Sequence, residues 1–393
     1  MEEPVRGFLE IVLAVSELEK DRTGIDPLLS RKTYDYALSA PVGWDYRRCL
    51  EASTELQEKL NGLDTQRSGY IRRLLQAIDI ICRDGMGEEL SYQEKVRGCL
   101  ELEIDKIPQT QIEELAAELS DRLGKRGYAG ELSEAVQEWK KDTTITDPEE
   151  LQSVADAFLK IAIDRTNARV LPVPDELDIN ISFPKNFPYN GYSESSKNYV
   201  SRITLSGDVG WPRAALKHLV THEALPGHTL YYATKEKLYR TSKLNVEGTV
   251  YLANTPVSPL GEGLCEAGQA MLGMIEDEDD RIFDLVNRLT SAIITNTAID
   301  YNNGSASKTM CLKEMKEKAL VSELQAEKRF GFFSHPLWYI SFMHYWFGRA
   351  IVHDCFMKMQ KHLEMFYGMA YLKAQTICGL QEDVDNFLKD SRQ

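Results

Sequence analysis

"VLPVPDELDINISF", Val170 to Phe183, is where an otherwise helical chain changes its period. Pro172 and Pro174 punctuate the stretch, and then Leu177, Ile179, Ile181 and Phe183 alternate with polar residues as on a half-buried strand. A second strand is expected in "NYVSRITLSG", Asn198 to Gly207, with Ile203 and Leu205 on one face. Between them "PKNFPYNGYSESSKN", Pro184 to Asn198, is rich in turn formers and aromatics and reads as an exposed loop. The expected fold is therefore mostly α: one elongated multi-helix domain with a small β-sheet near residues 177–205.

Upstream, helical spacing dominates. Phe8, Ile11, Val12, Val15 and Leu18 recur on one face, as do Ile71, Leu74, Leu75, Ile78 and Ile81. Thr110 with Glu113 has the pattern of a capping box ahead of Ile112, Leu115, Leu119 and Leu123. Asp147-Pro148-Glu149-Glu150 is a helix start, followed by Leu151, Val154, Phe158 and Ile161. Downstream, helix is expected to resume at Trp211, then around Gly261–Met274, from Ile282 to Ile299, and as long aromatic-rich helices from Lys313 onward. Residues 1–170 read as the helical N-terminal part of one large domain and residues 171–393 as the part that carries chemistry.

The 393 residues are 43% hydrophobic and 27% charged, enough apolar material for a sizeable core. With 46 Lys+Arg against 61 Asp+Glu, the formal charge of −15 is spread along the chain, which argues against nucleic acid as a partner. "MEEPVRGFLEIVLAV" is acidic at its start and interrupted by Glu10, unlike a signal peptide, and no segment has the length of apolar sequence that spans a membrane. Seven scattered cysteines without a CxxC pair read as buried, reduced thiols of a cytoplasmic protein.

The chemistry centres on "LVTHEALPGHTL", Leu219 to Leu230. His222 and His228 are six apart, and on an unbroken helix they would point about 120° away from each other. Pro226 removes a backbone donor and clashes with the His222 carbonyl, and Gly227 permits a sharp change of direction, so a redirected chain could return His228 to the side of His222. His218 and His222, four apart, form a rival pair that needs no break. Metal binding by either pair competes with an ordinary helix-ending turn. A further ligand is sought in "PLGEGLCEAGQAML", Pro259 to Leu272, where Glu262 and Glu266 share one face of an otherwise small or apolar helix. Buried carboxylates there need partners, and a dication is one such partner.

"HEALPGH" followed by "GEGLCEAGQAM" resembles the HExxPGH and EGW-x-x-Y signature of a bacterial and archaeal family known as domain of unknown function 885, which is itself similar to the glutamate-type zincin metallopeptidases. "YNGYSESSKNYVSRITLSGD" resembles the aromatic loop and strand preceding that signature, and "AEKRFGFFSHPLWYISFMHYWFGR" resembles its C-terminal segment. The resemblance implies a zincin-like fold, His222, His228 and Glu262 as ligands of one zinc ion per chain, Glu223 as general base, and Glu266 orienting a histidine. The chain departs from the signature where the tryptophan and tyrosine are replaced by Leu264 and Ala267.

The implied function is a zinc-dependent hydrolase of amide bonds in peptides or small amides, short-peptide or carboxypeptidase-like. By analogy with the zincins, Tyr345, His335 and Tyr339 are candidates to steady the oxyanion, Tyr345 first among them. Arg329 and Arg349 could anchor a substrate carboxylate, although pairing with acids such as Glu327 competes. The strand at Ser201–Leu205 could take an extended peptide as an added strand. His335, His344, His353 and His362 recur every nine residues, a period that alternates sides of a helix, and so read as coincidence. The alternative function is a catalytically silent helical scaffold with a structural metal closed by four ligands.

Overall fold

A computed structural model describes residues 1–60, 63–187, 191–208 and 210–391. Seven helices come first: α1 (Glu3–Thr23), α2 (Tyr46–Lys59), α3 (Thr65–Gly85), α4 (Tyr92–Leu100), α5 (Gln109–Lys125), α6 (Leu132–Thr143) and α7 (Pro148–Arg169). The strands are β1 (Thr144–Ile145), β2 (Asp178–Ser182), β3 (Gly191–Ser196), β4 (Val200–Leu205) and β5 (Trp211–Pro212). Then follow α8 (Arg213–Glu223), α9 (His228–Arg240), α10 (Val257–Glu266), α11 (Gly268–Leu272) and α12 (Glu278–Asn302). The chain closes with α13 (Lys308–Lys318), α14 (Glu323–Phe333), α15 (Phe347–Lys358), α16 (Leu363–Tyr371) and α17 (Ile377–Asp390). The fold is mostly α with one two-stranded and one three-stranded sheet.

Helix starts follow local chemistry where a side chain can reach back. Asp147 accepts from the Glu149 and Glu150 amides with Pro148 in the first turn of α7, and Asp277 forms a capping box with Asp280 at the head of α12. α5 differs from expectation. It begins one residue before Thr110 with Pro108 in the cap position and no side-chain cap, because Asn296 on α12 pairs with both backbone groups of Ile107 and fixes the entry of the chain. In α7 the buried stripe is Leu151, Ala155, Phe158, Ala162 and Thr166, and the expected core residue Ile161 is 39% exposed. The C-terminal aromatic region is built of short helices and a 3-10 turn at Ser341–Tyr345, not long helices.

In the three-stranded sheet β4 is central, parallel to β2 and antiparallel to β3. Ile181 on β2 and Ser201, Ile203 and Leu205 on β4 are buried, as the alternation predicts. The expected exposed loop contains β3, and its residues 188–190 lie outside the described set. The hairpin closes through Asn198 and Tyr199, both at positive φ, and the carboxylate of Glu236 on α9 accepts from both of their amides. A pair of left-handed residues without glycine is an unfavourable turn by itself, and the buried acid beneath it supplies what the local sequence lacks.

One contiguous core runs from Val5 to Val384 and joins both parts of the chain. Across the division the Tyr92 hydroxyl donates to the Tyr339 carbonyl, Trp139 Nε1 donates to Asp279, and Arg67 pairs with buried Glu247.

Candidate metal centre

α8 ends on Glu223 and α9 begins on His228, so the chain breaks where Pro226 requires it. The turn is held from several sides: the Gly227 amide donates to Thr221 O, the Thr229 hydroxyl to Glu223 O, and the Tyr371 hydroxyl to Pro226 O. Gly227 is required for close approach, not for a left-handed backbone. Its φ is −75°, and a Cβ there would fall 1.7 Å from the His222 carbonyl oxygen.

The redirected His228 ring lies 5.2 Å from that of His222, edge to face. Opposite them α10 presents Glu262, Cys265 and Glu266 from one face, as positions one turn apart must. Glu262 stands between the two histidines, 3.2 Å from His228 Nε2 and 3.5 Å from His222 Nε2. Behind it Glu266 lies 3.3 Å from His222 Nδ1 and 3.8 Å from His218 Nε2. His222, His228 and Glu262 therefore lie together from three separate sequence positions, and the rival pair is assembled too: ligand atoms of His218, His222 and Glu266 lie within 4.8 Å of one another. The Nδ1 of His222 and one carboxylate oxygen of Glu262 are buried without an aligned hydrogen-bond partner. The orphaned Glu262 oxygen lies on the side of His222 Nε2 and the orphaned Nδ1 on the side of Glu266, and buried nitrogen and carboxylate donors without good hydrogen bonds fit a dication on either side of the ring.

The charges here are strongly coupled. Burial works to raise Glu262, but His228, His222 and His344 pull it down to about 2. Burial works to lower the imidazoles, yet His222 is held above its ordinary value by Glu266, Glu223 and Glu262, and His228 well above by Cys265 and Glu262. Glu266, against its own burial, is held well below the carboxylate range by His218 and His222.

Glu223 is buried at the end of α8, its carboxylate against the first residue of β3, where a Cβ on Gly191 would stand 3.0 Å from Oε1. Tyr345 packs on Phe332 and Phe342; burial first, then the charges of Glu262, Glu266 and Glu223, hold its phenol far above the ordinary value. The other two oxyanion candidates are engaged elsewhere. His335 Nδ1 accepts from the Leu337 amide in the turn after α14, and Tyr339 donates to Asp84 beneath Lys95. Arg349 pairs with Asp284 at 2.6 Å, and Glu327 with Lys308, which leaves Arg329 without an ion pair among the described residues. β4 is paired on both sides and cannot accept an added strand; β3, bordering Glu223, is an edge of this sheet.

Two residues at the centre had no such role in the sequence reading. Cys265 joins His222 and His228 in a group whose ligand atoms lie within 4.8 Å of one another. His344 is pushed down to about 4 by burial, with Glu262 opposing, and its Nε2 is buried without a partner. The nine-residue histidine period carried no signal for it, because a 3-10 turn and not a continuous helix delivers His344.

No protein-family model and no curated protein matches the chain. Among solved structures it is similar to a proposed lipoprotein from Colwellia psychrerythraea, with a TM-score of 0.59 and 16% identity over 87% of this chain and 67% of that one. It is also similar to a proposed lipoprotein of unknown function from Shewanella oneidensis, with a TM-score of 0.56 and 12% identity over 87% of this chain and 75% of that one. At these identities the likeness shows the fold alone.

Proposed function

We propose that the chain is a zinc-dependent hydrolase of amide bonds in short peptides, with one zinc ion per chain held by His222, His228 and Glu262. The observation that carries this reading is the approach of the buried Glu262 carboxylate to both His222 Nε2 and His228 Nε2, with one of its oxygens lacking a hydrogen-bond partner and Glu223 next to the first histidine. A bound zinc ion supplies Lewis acidity and lowers the pKa of a water at an open position. The residues of the chain do the rest. Glu223 takes the proton from the attacking water and returns it to the leaving amine. Tyr345, whose phenol burial holds well above its ordinary value, would donate to the developing oxyanion. Glu266 keeps the His222 ring turned toward Glu262. Arg329, which has no ion pair among the described residues, is the group for a peptide carboxylate, consistent with carboxypeptidase-like action.

The test is Glu223→Gln beside His228→Ala in the full chain. Glu223→Gln should keep zinc and lose turnover by roughly 10²–10⁴-fold, whereas His228→Ala should lose zinc by elemental analysis. Retained turnover in Glu223→Gln would remove the base, and equal zinc in wild type and His228→Ala would remove the site. Cys265 favours a second reading, a closed four-ligand structural site, because it is a fourth donor beside the expected three.

A further inference from the structure

We infer that Cys265 is itself a metal ligand, so that the centre is a mixed site of His222, His228 and Cys265 with Glu262 completing it; this rests on the metal site proposed above. Of the seven cysteines, it alone belongs to a group of three or more potential ligands among the described residues. It is 1% exposed, and it sits one turn after Glu262 on the same face of α10. A Cβ on Gly263 would lie 2.5 Å from the Gly348 carbonyl on α15, and one on Gly261 would lie 2.6 Å from the Tyr251 hydroxyl, so α10 packs closely on both through its glycines.

Thiolate is the softest donor available and favours zinc over the hard dications. Coordination exchanges the S–H bond for a metal–sulfur bond and releases one proton to solvent. With Glu262 added, the chain would offer four protein donors, the number that a closed zinc site takes. Four protein donors would match the closed structural reading above, and hydrolysis would need one of them to be displaced.

The experiment uses the full chain loaded with cobalt(II) and, separately, with zinc. Cobalt bound stoichiometrically with a near-ultraviolet thiolate charge-transfer band, and the band lost in Cys265→Ser while the metal is kept, is the expected result. Zinc-edge X-ray absorption of the unmodified chain needs no variant, and a sulfur shell at about 2.3 Å is expected there. Cobalt bound in wild type and lost in His228→Ala, with no charge-transfer band and only nitrogen and oxygen at about 2.0–2.1 Å, would overturn the role of Cys265 and leave the His-His-Glu site standing. A band that survives in Cys265→Ser would likewise overturn it. No cobalt or zinc in wild type would overturn both.

Discussion

Glu262 concentrates the electrostatics of the centre, and its titration is directly measurable in metal-stripped protein. Its folded pKa of about 2 lies below the ordinary 4.5. A depressed carboxylate contributes stability that is present above pH 4.5 and lost as pH falls toward 2. His222 and His228 have the opposite sign: their contribution is present below the ordinary 6.5 and lost as pH rises through their raised values. His344, pushed down to about 4, adds a loss of its own as pH falls from 6.5 to 4. The melting temperature of stripped wild type should therefore fall on both sides, and Glu262→Gln should flatten both the acid and the alkaline limb; superimposable profiles would contradict this coupling. Gly191→Ala probes the base. The new methyl meets Glu223 Oε1 at 3.0 Å and Leu205 at 3.1 Å, so the carboxylate must shift. Zinc content should stay at the wild-type level while kcat falls roughly ten- to hundredfold on any substrate the wild type cleaves. The two short segments that hold the histidines and carboxylates were legible from residue chemistry, but spacing left His218 and His228 as rivals beside His222, and the set of His222, His228, Glu262 and Glu223 came from the family resemblance. His344 was not legible, because isolated buried polar residues acquire a role only from what packs against them.

At the scale of elements, close approach decides the geometry. α10 lies so near α15 that Gly263 and Gly348 meet through backbone, with Gly348 facing the Pro259 carbonyl at 2.7 Å from its would-be Cβ. Gly263→Ala should cost about 1–3 kcal/mol through overpacking, read as a lower denaturant midpoint, and should weaken zinc retention because Glu262 is its neighbour. An unchanged midpoint would mean the helices separate freely. The elements themselves were readable to different depths. Asp147-Pro148 marked α7 because the cap is local, whereas its buried face was displaced: Ala155 and Ala162 point inward and Ile161 outward. Hydrophobicity alone favours the isoleucine, but the closeness of neighbouring helices favours the alanines. The β3–β4 hairpin escaped notice because its turn, Asn198-Tyr199, depends on Glu236, 37 residues further along from Tyr199.

At the scale of the molecule, the division at residue 170 separates sequence patterns and not folding units. Leu28 bridges to Leu252, Lys106 pairs with Asp300, and Arg73 pairs with Glu382, each crossing the division. Residues 171–393 expressed alone should therefore expose the apolar faces that α1 and α3 cover and show no cooperative thermal transition; a cooperative melt with native zinc content would establish an independent domain. By itself the sequence determined the helical class, the strands at β2 and β4 and the two segments that supply histidines and carboxylates, because periodicity, capping and residue chemistry act over a few neighbours. Only the tertiary structure decided that His228 returns to His222, that β3 rather than β4 is the sheet edge beside Glu223, and that Cys265 and His344 stand at the centre. Those outcomes depend on glycine-mediated helix approach and on buried partners tens to hundreds of residues away, which local spacing does not encode.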